Sequence, residues 1–268
     1  MIGGHKFLVA ALLLLVGLSF AVDITACQVI SAPGDYYIQP PGISTLGTPM
    51  QDCLVVQSDN VHIYCQGYHV RAPPDPSDEK PYPGYAIYIH GGYDNILVDG
   101  CVLEDSLSGL RVGDGTGNSG IMASHNTARN NVFNGFELAG VQNSDFNQNT
   151  FECTPIPGVG NGIGFRATNL STSVIRNSIS TNCGNGFHLA SSSQNSLLGN
   201  SGTGAIGAAL TIGSDSDDNI VEDFTATGNT VGISIVGFPE GSAEGAPDGN
   251  IFTGCALSGN AFACFQAV

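Results

Sequence analysis

Tryptophan is missing from this chain of 268 residues, and only seven lysines and arginines face 23 aspartates and glutamates. Charged residues make up 11% of the chain, too few for long surface helices laced with ion pairs. The formal charge of −16 weighs against nucleic acid as a partner, because that binding runs on neutralising phosphates with basic side chains. Anionic polysaccharide meets the same repulsion unless calcium bridges the two. No CxxC pair is present, which speaks against a zinc site. No Pro/Gly/Ser-rich linker divides the chain. The one long apolar run, Phe7 to Phe20, has 14 residues, short of the roughly 20 that a spanning helix needs.

Lys6 precedes that run and Ser19-Phe20-Ala21 closes it, with small residues at the −3 and −1 positions. These are the parts of a signal peptide over residues 1–21, leaving 22–268 as a single domain of a secreted or cell-surface protein. Ile24-Thr25-Ala26-Cys27 also has the shape of a lipoprotein cleavage box, although Asp23 interrupts the approach to it. Losing Lys6 takes the formal charge from −16 to −17. All eight cysteines lie beyond the segment, and an even number in an exported chain favours disulfides. Cys255 and Cys264 are close at the C-terminal end, Cys153 and Cys183 lie one repeat apart, and Cys27, Cys53 and Cys65 cluster around the first turn.

The organising feature is a repeat in which a small residue precedes an apolar, variable, apolar triplet. It begins at Cys53, Ala86, Gly109, Gly135, Gly162, Gly186, Ala209, Gly232 and Ala261. A second unit opens with Asn, as at Asn60, Asn95, Asn143, Asn195, Asn219 and Asn250, and a third short unit follows. Such strands cannot bury a face alone, so each repeat must stack on its neighbours as one coil of a solenoid. The expected architecture is all-β, a right-handed parallel β-helix of about nine coils with three short strands each. Gly and Asn between the strands suit its sharp bends, and buried Asn side chains can bond the coil above.

The segment Ala32-Pro-Gly-Asp-Tyr-Tyr-Ile, followed by Cys53-Leu-Val-Val-Gln-Ser-Asp-Asn-Val-His-Ile-Tyr-Cys-Gln-Gly-Tyr-His-Val, resembles the first coil of the pectin-lyase-like superfamily. It is most similar to the NosD-like, PbH1-repeat branch of surface proteins. The resemblance runs from about Pro33 to Phe265 and implies the fold. Activity is not implied, since that superfamily holds lyases, hydrolases, epimerases, adhesins and stalks. The Asn-Thr-Asp element of polygalacturonase-like hydrolases and the Asp-Pro-His signature of alginate epimerase-like enzymes are both missing here. For the arginine base of calcium-dependent pectate lyases, the mature chain offers Arg71, Arg111, Arg129, Arg166 and Arg176.

From the residues alone, strand alternation stacks Tyr88, Arg111, Glu137, Gly164, His188, Thr211 and Ser234 along one outer face. Arg166, two residues past Gly164, returns to that face. Glu137 with His188 can serve as an acid/base pair across a sugar, with Arg111 and Arg166 holding a carboxylate. Equally, Arg111 and Glu137 can be a surface ion pair. A column that lines no groove would end the site idea. Calcium is the one cofactor to consider, at Asp215, Asp217 and Asp218, because hard cations take several oxygens from a short bend. A solvated acidic turn fits those residues too. Gly113-Asp-Gly-Thr-Gly-Asn reads as a turn, and Asn169-Leu-Ser171 is the one glycosylation sequon. Ala72 to Pro83 and Phe238 to Gly249 read as lateral loops. The expected function is a secreted or envelope module that binds glycans or partner proteins without catalysis. The alternative is a carbohydrate-active enzyme, a lyase, hydrolase or epimerase, with an atypical site.

Overall fold

The computed structural model describes residues 21–45, 52–72, 84–155, 161–237 and 246–262. The expected signal segment apart from Ala21, Cys264, and most of the two lateral loops lie outside the described residues. All of the described regular structure is β, wound as a right-handed parallel β-helix with three strands per coil. The first sheet stacks ten strands, from Ala21–Ile24 to Ile251–Thr253; the second stacks nine, from Gly42–Ser44 to Ala256–Ser258. The third runs through nine successive strands, from Gln28–Ile30 to Val231–Ile235, with the short Asn118–Ser119 beside it.

Register follows burial. In the third sheet Leu110, Phe136, Phe165, Phe187, Leu210 and Ile233 align as one inner ladder, and every one is buried. Aliphatic side chains fill the early coils and phenylalanine the middle ones. Phe151 meets Phe136 edge-on at 5.0 Å and Phe187 at 6.0 Å, and Phe187 meets Phe224 at 5.8 Å. Each such pair adds about 1 kcal/mol beyond area burial. The small residue that opens each repeat is required by this packing. A Cβ on Gly135 would stand 2.6 Å from the Phe151 ring and 2.5 Å from the Gly164 carbonyl oxygen.

At the corners, polar side chains tie coil to coil. Between the third and first sheets the backbone N–H of Ser173 donates to Asn195 at 3.1 Å, that of Asn195 to Asn219 at 3.0 Å, and that of Asn219 to Asn250 at 3.0 Å. Asn126 and Asn149 do the same between the first and second sheets, and Asn229 and Asn260 between the second and third. These bonds satisfy backbone donors that the bends remove from the ladders. Three disulfides join neighbouring coils: Cys27–Cys53, Cys65–Cys101 and Cys153–Cys183. Cys153 and Cys183 pair as their spacing suggests, while Cys65 leaves the N-terminal group and reaches forward.

Two details of register differ from the sequence reading. Gly164 aligns with Gly135 and Gly186, so the fifth repeat begins there rather than at Gly162. The flanking Phe165 then enters the inner ladder, which Ile163 would otherwise occupy. Asn60 and Asn95 also belong to a different slot from Asn195, Asn219 and Asn250. The first two take left-handed φ angles of 55° and 57° on the exposed bend, and the last three sit one position later, turned inward. Asn and Asp tolerate that left-handed position where most residues do not.

Candidate functional site

The outer face of the third sheet carries the expected column with one substitution. Its order is Tyr88, Arg111, Glu137, Arg166, His188, Thr211 and Ser234. Arg166 stands where Gly164 was expected, because the fifth repeat is shifted by two residues. It therefore lies directly between Glu137 and His188. The two members of the expected acid/base pair are two rungs apart, about 9.6 Å at the usual strand spacing, with a guanidinium between them.

Beside this column is a groove of about 490 Å³, lined by Tyr85, Leu107, Val132, Phe133, Asn134, Glu137, Asn161, Gly162, Ile163 and Arg166. Glu137 and Arg166 thus line a groove; Arg111 and His188 flank it without lining it. The corner between the second and third sheets forms its other wall. Tyr85, Ser108, Asn134 and Ile163 occupy one register position along that corner. Tyr85, Asn134 and Ile163, which line the groove, escape a reading of strand triplets because they sit just before them. The signal was available: each immediately precedes the small residue that opens its repeat.

Glu137 is fully engaged. One carboxylate oxygen pairs with Arg111, and the other accepts from Ser108 at 3.0 Å and Asn134 at 3.1 Å. Arg111 also donates to the Gly113 carbonyl at 3.1 Å. Arg166 is different: it is exposed, and among the described residues it makes no ion pair or side-chain hydrogen bond. The other four arginines all have carboxylate partners. His188 is half-buried, and its Nδ1 has no hydrogen-bond partner among the described residues. Burial, then the neighbouring Arg166 charge, lowers its pKa below the ordinary imidazole value.

Aromatic groups extend the face toward the N-terminal coils. Tyr85 and Tyr88 have ring centroids 5.4 Å apart, and Tyr88 covers His90 at 4.3 Å. Burial raises the Tyr85 hydroxyl pKa, and the Glu137 charge raises it further. Asp52 accepts the Tyr85 backbone N–H at 2.8 Å. Its carboxyl is raised by burial, which outweighs the lowering effects of that bond and of His90.

Asp215, Asp217 and Asp218 are spread along a bend. Asp217 accepts the Asp248 N–H at 2.7 Å, and Asp215 and Asp218 hold left-handed φ angles of 53° and 54°. Among the described residues no group of three or more His, Cys, Asp or Glu side chains is arranged to hold a metal ion. The Gly113 to Asn118 bend closes on Asp114, which accepts from the Thr116 hydroxyl at 2.6 Å. Asn169 is exposed.

A second charged cluster lies on the outer face of the second sheet, where Arg71, Glu104 and Arg129 align on successive coils. Glu104 is buried, with Arg71 Nε at 2.6 Å, Arg129 Nε at 2.5 Å and His69 Nδ1 at 2.7 Å. Burial alone would raise its pKa, but the hydrogen bonds from Arg129 and Arg71, with the charges of Arg71 and His69, together lower it.

The sequence model of a family described as Right handed beta helix region matches residues 69–226. Against curated proteins the sequence finds no match. Among solved structures, the endo-xylogalacturonan hydrolase from Aspergillus tubingensis superposes with a TM-score of 0.62 at 14% identity, over 92% of this chain and 76% of that one. The periplasmic alginate epimerase AlgG gives 0.61 at 13% identity, over 87% and 69%. The Dettilon tailspike protein gives 0.51 at 13%, over 89% of this chain and 60% of the tailspike. At such identities the likeness is one of fold.

Proposed function

Given that this chain belongs to the right-handed β-helix region family, we propose that it is a glycan-binding module of the cell exterior or envelope. Its site is the groove between Tyr85 and Arg166. One observation carries the reading: among the described residues Arg166 is the arginine without a carboxylate partner, and it faces the groove. In a chain of formal charge −16, a guanidinium left unneutralised is set apart from its surroundings. Its planar fork suits the carboxylate of an acidic sugar, which it can hold bidentately. Tyr85 offers an apolar ring face, and Asn161 a carboxamide for hydroxyls.

Three disulfides between coils fit an oxidising compartment. The polysaccharide enzymes among the structural neighbours point toward the same ligand class. Binding without turnover is favoured because Arg111, Ser108 and Asn134 already hold the Glu137 carboxylate in place. Glycan-array binding of the purified protein, with and without calcium, tests the proposal. Binding to acidic glycans that Arg166→Ala removes would support it; binding unaffected by that change would refute it.

An enzymatic reading draws on Asp52. Burial raises its carboxyl, as a general acid requires, and the charges of both Asp52 and Glu137 reach the Tyr85 hydroxyl. A carboxyl raised in this way can serve as the acid of such a reaction. Product analysis on any bound glycan decides it, since a cleaved or epimerised sugar lost in Asp52→Asn would replace the binding reading.

A further inference from the structure

The groove is two-sided, and its second side narrows the ligand. Arg166 and Glu137 form one wall. Leu107, Val132 and Phe133 belong to the corner that forms the other, and Phe133 is 42% exposed. We infer, resting on the glycan reading above, that the bound residue is an acidic sugar carrying an acetyl group. Its carboxylate lies on Arg166 and its acetyl methyl against the Phe133 wall.

The two walls of the groove match the two ends of such a sugar. A bare sugar ring presents hydroxyls on all sides, and those turned to the aliphatic wall would lose water without gaining a partner. A methyl group in the same place leaves water at a gain. A methyl ester is ruled out as the source of that methyl, because esterification removes the charge that Arg166 would hold. The acetyl carbonyl also has a donor. Asn161 Nδ2 gives one N–H to the Asn182 carbonyl at 2.8 Å, and a carboxamide has two N–H groups to give.

The test is calorimetric titration of the full secreted protein with matched sugars. The probes are O-acetylated oligogalacturonate, O-acetylated mannuronate oligosaccharide and N-acetylneuraminate, each beside its deacetylated form, with acetylated xylo-oligosaccharide as the uncharged control. The expected result is that at least one acetylated acidic sugar binds about fourfold or more tighter than its deacetylated form, the effect of one buried methyl. Phe133→Ser, at an exposed position, should erase that difference and leave the melting temperature unchanged. Equal binding of the two forms would overturn the acetyl inference while the acidic-glycan reading stands. Equal binding of the uncharged acetylated control, or no binding to any probe, would overturn both.

Discussion

Two faces of this β-helix carry the same charge sequence across three coils, arginine, glutamate, arginine, and use it differently. On the second sheet Arg71, Glu104 and Arg129 close on one another, with Glu104 buried between two guanidiniums. On the third sheet Arg111, Glu137 and Arg166 are aligned in the same way, yet only Arg111 is paired with the glutamate. The difference is made by two neutral neighbours. Ser108 and Asn134 occupy the second oxygen of Glu137, the oxygen whose counterpart in Glu104 holds Arg129. A charge ladder becomes structural or available for binding according to what else competes for its carboxylate.

The largest effect should come from breaking the closed ladder. Glu104→Gln should cost about 3 kcal/mol in urea unfolding, the low end of what removing one partner of a buried ion pair costs, whereas Glu137→Gln should cost about 1 kcal/mol. Exchanging the arginines separates the roles next. Arg166→Ala should lower acidic-glycan affinity tenfold or more with an unchanged melting temperature, and Arg129→Ala should lower the melting temperature with affinity unchanged. The comparison sharpens if the third sheet can be made to imitate the second. Ser108→Ala with Asn134→Ala frees the second oxygen of Glu137 to turn to Arg166, and titration should show affinity falling about threefold.

The smallest effect is set by protons. Because the folded Glu104 pKa is lowered, its stabilisation is complete above the ordinary glutamate range. It is lost as pH falls from there through the folded value. Melting curves from neutral to strongly acid pH should therefore show an acid decline that Glu104→Gln flattens.

The repeat made the architecture legible in the sequence, since small residues before alternating triplets have few other uses. Register was harder to read where two glycines flank one isoleucine. At Gly162-Ile-Gly164 either glycine can open the repeat, and only the packing of Phe165 against Phe187 decides. The same two-residue choice hid Arg166 from its place beside Glu137. The closed ladder was hidden for another reason. Arg71 and Glu104 are 33 residues apart and Glu104 and Arg129 are 25 apart, so the Ala72 to Pro83 loop disguises their common column. The groove's apolar wall lies on a corner, where strand alternation predicts nothing about direction.

The corner bonds have a consequence for how such a protein changes length. Each backbone donor at the corner between the third and first sheets reaches the side chain one coil ahead, from Ser173 to Asn195 to Asn219 to Asn250. A link of this kind is indifferent to how many others stand before or after it. Removing residues 196–219 would leave Asn195 facing Asn250 in the geometry it now has with Asn219, while removing one residue inside a strand would turn the rest of that strand's side chains to the wrong face. Inheritance can therefore edit this scaffold in whole turns, shortening or extending the reach of the molecule while the groove stays as it is.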